Sequence, residues 1–293
     1  MVLGAAGSNP VTHPYCFTMN SLEFHTLYTG NVRTDGGAMF GVAPKLLWQK
    51  IETPDADNRI PIAMRNLLIR DAGRIFIVDT GIGNYNNNPT FIKHHNPDVL
   101  DYDHDVSLQE HGLTTNDVTD VILTHLHYDH GSGIVTKRNG ELTATFPNAR
   151  IWLQREQWQW ANNPSDRDRA GYMPAYMDFL RNQKNLELVD GKSQITPNIT
   201  ALPFYGHTPS MQCILFEKEG KQYFYATDLF PLASHLHVPY IMAFDLEPLK
   251  TLAEKKRIAD QAIAEEWTLV FQHDPNHETG QVEEHNGRYR LKQ

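Results

Sequence analysis

The sequence predicts an α+β protein in which stacked sheets are covered by helices. Short apolar runs of strand length recur along the chain, and amphipathic helical segments fall between and after them. No repeat or Pro/Gly/Ser-rich linker divides the 293 residues. A chain of this length buries a sizeable core, and the simplest organisation is one domain over residues 1–293.

Residues 21–51 alternate apolar and polar side chains around Asp35-Gly36-Gly37, which predicts early strands joined by a turn. The runs 60–70 and 74–79 flank Asp71-Ala72-Gly73, a hairpin signal. The second run, Ile75-Phe76-Ile77-Val78, stops at Asp79-Thr80-Gly81, so a buried strand delivers an acidic side chain to a turn. A short helix and loop over 108–116 precede a strand at 118–123. Further strands are expected at 150–153, 199–203, 211–217 and 222–226, and helices at 154–161, 174–184 and 248–266. The last opens with Pro248, which suits a first helical turn, and Leu249, Leu252, Ala253 and Ile258 are its expected buried stripe. The aromatic stretches 152–160 and 172–179 are assigned to helix packing, with a subunit contact as a second use.

With 26 Lys+Arg against 35 Asp+Glu the net charge is −9, and the longest basic cluster is Lys255-Lys256-Arg257. Such a surface repels phosphate backbones, which argues against nucleic-acid binding. Residues 1–10 lack the basic and apolar segments of a signal peptide, and no stretch approaches 18 apolar residues, which argues against secretion and membrane spanning. Two cysteines, Cys16 and Cys213, make no disulfide framework, so a reducing, cytoplasmic setting is the expectation. Histidine is the unusual residue in the composition. Fifteen in 293 residues is about twice ordinary usage, which metal chemistry explains.

The densest chemical signal is Thr124-His125-Leu126-His127-Tyr128-Asp129-His130-Gly131, directly after the apolar run Val121-Ile122-Leu123. In a strand-end loop, His125 and His127 can face one side while Asp129 and His130 turn toward a second position. One ion for each pair is the consequence. Four residues do not saturate two ions, so further ligands are expected at later strand ends. His207 follows Phe204-Tyr205-Gly206, Asp228 follows an aromatic run ending Ala226-Thr227, and His273 follows Leu269-Val270-Phe271-Gln272. Any one of these alone reads as an ordinary solvated or core residue. Together with the 125–130 block they form a set.

That set, with Gly206-His207-Thr208-Pro209, resembles the dinuclear hydrolase branch of the metallo-β-lactamase superfamily. The resemblance runs from the strand ending at Asp79 to His273. It implies an αββα four-layer sandwich, two mixed sheets flanked by helices, with two divalent metal ions at one edge. His125, His127 and His207 would hold the first ion, Asp129, His130 and His273 the second, and Asp228 would bridge both. Asp79 matches the acidic position that orients a ligand histidine. Zinc is the expected metal, and the same donors accept Mn, Fe or Co.

The activity the resemblance implies is hydrolysis of a lactone, ester or phosphotriester by a hydroxide shared between the ions, with Asp129 orienting it or moving its proton. β-Lactamases of the superfamily generally lack His130 combined with a bridging Asp228, and the nuclease branches are opposed by the acidic balance. Flavodiiron proteins need a further domain that the 20 residues after His273 do not provide. The stretch 228–239 and Phe244-Asp245 resemble methyl parathion hydrolase-like proteins, whereas quorum-sensing lactonases carry a substrate-binding tyrosine where this chain has Leu229-Phe230-Pro231. The alternatives are a glyoxalase II-like thioesterase and a sulfur dioxygenase-like protein with one non-haem iron on His125, His127, His207 and Asp228. Met39, Phe40, Phe230, His235 and Tyr240 are the candidate substrate-pocket residues. The expected partner is a small-molecule substrate, without nucleic acid or membrane, and a homodimer is the default on base rates.

Overall fold

The computed structural model describes residues 22–84, 89–99 and 102–292. Cys16 and residues 1–10, on which part of the compartment argument rests, lie outside them. In chain order the strands of the first half are β1 (Glu23–Asp35), β2 (Arg59–Asp71), β3 (Arg74–Val78), β4 (Asp120–Ile122), β5 (Val135–Arg138), β6 (Glu141–Ala144), β7 (Arg150–Gln154) and β8 (Leu186–Val189). The second half adds β9 (Ser193–Thr196), β10 (Ile199–Phe204), β11 (Met211–Lys218), β12 (Lys221–Tyr225), β13 (Thr268–Val270), β14 (Thr279–His285) and β15 (Arg288–Leu291).

Both sheets are mixed. The first has the order β1-β2-β3-β4-β7-β8, antiparallel up to β3 and parallel beyond it. The second runs from β15 through β9 in sequence order, antiparallel except where β12 lies beside β13. Strand periodicity sorts the side chains into layers. Leu67, Ile69, Phe76, Val78 and Ile122 of the first sheet meet Ile214, Phe216, Tyr225 and Val270 of the second. The intervening residues point the other way. Leu68, Ile77 and Val121 pack under Tyr176, Met177 and Leu180 of the helix Pro174–Arg181, and Cys213, Phe224 and Leu269 pack under Ile258, Ala259 and Ala262 of the helix Pro248–Ala264. The result is the expected αββα sandwich. Cutting Ile214, fully buried between the sheets, to Ala costs about 2–5 kcal/mol.

Three local expectations are corrected. Asp35-Gly36-Gly37 is not a turn between strands; Asp35 caps the helix Gly36–Phe40, its Oδ1 accepting from the Ala38 amide at 2.8 Å. The short helix expected over 108–116 is His104–Gln109, started by the Asp103 cap. In the last helix Leu249, Leu252 and Ala253 are exposed, and Thr251, Lys255, Ile258, Ala259 and Ala262 form the buried face. Lys255 hides that face from a hydropathy reading. Its ammonium is buried but donates to the carbonyls of Tyr240 and Val238, which makes a charged residue part of the core stripe.

Candidate metal centre

Five strands leave the sandwich at one edge. Val78 of β3 is paired with Ile122 of β4, and Tyr225 of β12 with Val270 of β13. Asp79 and His125 follow the first pair by one and three residues, and Asp228 and His273 each follow the second pair by three. β10 lies two antiparallel steps from β12, so it runs in the same sense and brings His207, three residues past Phe204, to the same edge. The one-turn helix Tyr128–Gly131 folds the chain back so that Asp129 and His130 join the group.

Two donor groups result: His125, His127, His207 and Asp228, and Asp129, His130 and His273. In the first, His127 Nδ1 lies 3.1 Å from His125 Nε2 and 3.0 Å from His207 Nε2, and Asp228 Oδ2 is 3.1 Å from His207 Nε2 and 3.7 Å from His125 Nε2. In the second, His273 Nε2 is 3.3 Å from His130 Nε2, and Asp129 Oδ2 is 3.6 and 3.8 Å from these two nitrogens. Asp228 reaches this group too, with Oδ1 3.1 Å from His273 Nε2 and Oδ2 3.5 Å from His130 Nε2. Zinc–nitrogen bonds of about 2.0–2.1 Å in a tetrahedron place ligand atoms about 3.3–3.4 Å apart. The donor separations are therefore close to those that two ions sharing the Asp228 carboxylate would need, and the residues fit a pair of ions.

The far ring nitrogens fix which way the histidines point. Asp79 accepts His130 Nδ1–H at 3.1 Å and also the Thr124 amide and hydroxyl at 2.8 and 2.9 Å. The Thr124 hydroxyl, donating to Asp79, is left to accept His125 Nδ1–H at 3.1 Å. One buried carboxylate thus orients a histidine of each group. His207 Nδ1–H donates to Asp245 Oδ1 at 2.8 Å and His273 Nδ1–H to the Ala63 carbonyl at 2.9 Å. His127 has its other nitrogen unpartnered and is held by packing against Gly171 and the Tyr172 ring. The backbone is strained where these orienting contacts are made. Asp79 and Thr227 adopt φ of 57° and 41°, costing about 1–3 kcal/mol each, and the Thr227 hydroxyl bonds to that of Thr124.

Burial and the neighbouring histidines hold His125 well below its ordinary pKa, and burial with His207 beside it takes His127 down to about 3, so both rings are neutral donors. Burial also opposes charge on His130 and His207, but Asp129, Asp228 and Asp79 outweigh it at His130, as Asp228 and Asp245 do at His207, so both are raised. Asp228 is held well below the carboxylate range by His130 and His207 against its burial. The concentration of buried carboxylates calls for positive charge at this point, which bound cations would supply.

The centre forms the floor of a cleft of about 490 Å³. His127, Asp129, His207, Asp228 and His273 face it, and Met39 stands in its wall. Phe40, Phe230, His235 and Tyr240 do not reach it, which corrects the expected pocket set. Phe40 stacks on Trp48 and His235 with Tyr240 at its edge, and Phe230 is buried beneath the second sheet. His235 donates Nε2–H to the Met39 carbonyl, a core role. The remaining wall comes from residues that sequence reasoning did not single out, including Ile62, His95, Tyr128, Arg167, Met242 and Phe244. Asp245 was also missed as a partner of His207; its place after the apolar run 241–244 was the available signal.

The family model described as the metallo-beta-lactamase superfamily matches residues 66–273. An N-acyl homoserine lactonase from Bacillus sp. is 27% identical over 175 residues, 59% of this chain, and one from Bacillus cereus is 27% identical over 177 residues. The match spans 62% of the length of each of these relatives. Among solved structures, a probable metal-dependent hydrolase from Staphylococcus aureus superimposes with a TM-score of 0.84 at 27% identity, covering 94% of this chain and 99% of that one. AidC, a dizinc quorum-quenching lactonase in complex with a product, gives 0.76 at 21% identity, covering 94% and 95%.

Proposed function

The chain belongs to the metallo-β-lactamase superfamily, and on that premise we propose that it is a single-domain, dinuclear metal-dependent hydrolase that opens a lactone or cleaves a related ester. The observation that carries the reading is the pair of donor groups sharing Asp228 at the floor of the cleft. Two divalent ions there, zinc being the proposed metal, would acidify a shared water and polarise the substrate carbonyl.

The residues around them have distinct tasks. Asp228, with contacts to both groups, sets their separation. Asp79, Asp245 and the Ala63 carbonyl keep His130, His207 and His273 turned inward. Asp129 has the more open carboxylate, its side chain 19% exposed against 8% for Asp228, which supports a role in taking the proton of the attacking water and passing it to the leaving alkoxide. Met39, Ile62 and Met242 exclude water from one side of the cleft.

A mononuclear iron centre on His125, His127, His207 and Asp228 would leave Asp129, His130 and His273 as a complete donor group without a use. The named activity of the Bacillus relatives makes lactones the first compounds to test. Metal-loaded protein is assayed on lactones, aryl esters, thioesters and phosphotriesters. Chelator-sensitive turnover with the highest kcat/KM on a lactone or ester supports the proposal; preference for a thioester, or oxygen consumption without hydrolysis, rejects it.

A further inference from the structure

The cleft floor is acidic, with Asp129 and Asp228, and much of the wall is apolar. Arg167 is the one lysine or arginine among the described lining residues. Its side chain is exposed at the mouth, and Nη2–H donates to the Ala243 carbonyl of the adjoining loop. That contact tethers the guanidinium to the loop and uses one of its five donors. The adjacent carboxylate, Asp168, does not neutralise it. Asp168 accepts from Trp160 Nε1 at 2.7 Å, Ser165 Oγ at 2.6 Å and the Tyr172 hydroxyl at 3.4 Å. Among the described residues no carboxylate lies within ion-pair distance of Arg167. A tethered guanidinium with no ion-pair partner, lining the cleft, matches the fork geometry of a carboxylate.

Resting on the hydrolase reading above, we infer that Arg167 is a specificity-determining residue that pairs with a carboxylate at the distal end of the substrate. The scissile carbonyl then lies over Asp129 and Asp228, and the methylene chain between the two ends runs along Met39, Ile62 and Met242. The substrate class is an ester or lactone with a carboxylate-terminated tail.

The test compares mono-p-nitrophenyl adipate with p-nitrophenyl hexanoate, which differ in the distal carboxylate. In wild-type protein kcat/KM favours the adipate half-ester by about twofold to fivefold, mainly through KM, and the preference shrinks as salt rises. R167Q keeps a donor for the Ala243 carbonyl but no charge, and its ratio falls to about one; R167K retains most of the preference. A ratio unchanged in R167Q, as when Arg167 only ties two loops together, overturns the inference, as does a wild-type ratio of one. If neither ester turns over, the hydrolase reading fails on these substrates, and calorimetric binding of adipate and hexanoate decides the role of Arg167 without turnover. Tighter adipate binding in wild type that is lost in R167Q supports it; equal binding overturns it.

Discussion

Four of the five candidate ligand histidines have the far ring nitrogen tied to an oxygen acceptor. Asp245 stabilises one tautomer of His207 and aims its Nε2 inward, so Asp245→Ala is expected to weaken metal binding about 10- to 100-fold while leaving the circular dichroism spectrum unchanged. Asp129 is the more exposed carboxylate of the centre. Asp129→Ala is expected to lower kcat about 10²- to 10⁴-fold with a small change in Tm, and activity near wild type would remove it from the mechanism. Other histidines show why count alone is a poor guide. His104 and His235 are buried, each giving one N–H to a backbone carbonyl, of Thr80 and Met39. Burial takes His104 down to about 4. Its neutral form is the folded one, so its contribution is complete above the unfolded pKa near 6.5 and is lost as pH falls toward 4. His104→Phe should therefore flatten the acid limb of the Tm–pH profile; an unchanged limb would contradict this account.

At the level of elements, the seven candidate ligands were legible because His125, His207, Asp228 and His273 each sit three residues beyond a strand whose apolar run is easy to see, and the other three fall in the block directly after His125. Asp79 was legible for the same reason. The cleft walls were not, because they come from loops such as 165–171 and 241–244, whose positions depend on contacts with distant segments. The helix Pro248–Ala264 illustrates the limit. Its start was readable from Pro248, but the buried face includes Lys255 and Thr251, which a hydropathy pattern assigns to solvent. That helix also braces the centre. A Cβ on Gly206 would meet the Thr251 backbone nitrogen at 2.4 Å and Cα at 2.5 Å. Gly206→Ala must therefore push the helix or the His207 loop aside, with an expected loss of about 1–3 kcal/mol in stability and lower occupancy of the His207 metal position. Denaturant titration and metal analysis of the same variant check both effects.

For the molecule as a whole, the sandwich separates two tasks. The inter-sheet layer and the two outer helical layers supply stability, while one edge gathers buried carboxylates and histidines that are costly without cations. Among the described residues no helix is long and apolar enough to cross a membrane. Binding of ions to the folded state adds stability through mass action, so a chelator should lower Tm and restored zinc should raise it again. The measurement that tests the central claim most directly is a zinc titration of metal-stripped protein, with bound metal and lactone or ester hydrolysis followed together. Two equivalents per chain, with activity rising on the second, is the predicted result; saturation at one equivalent with full activity would contradict a centre shared across Asp228.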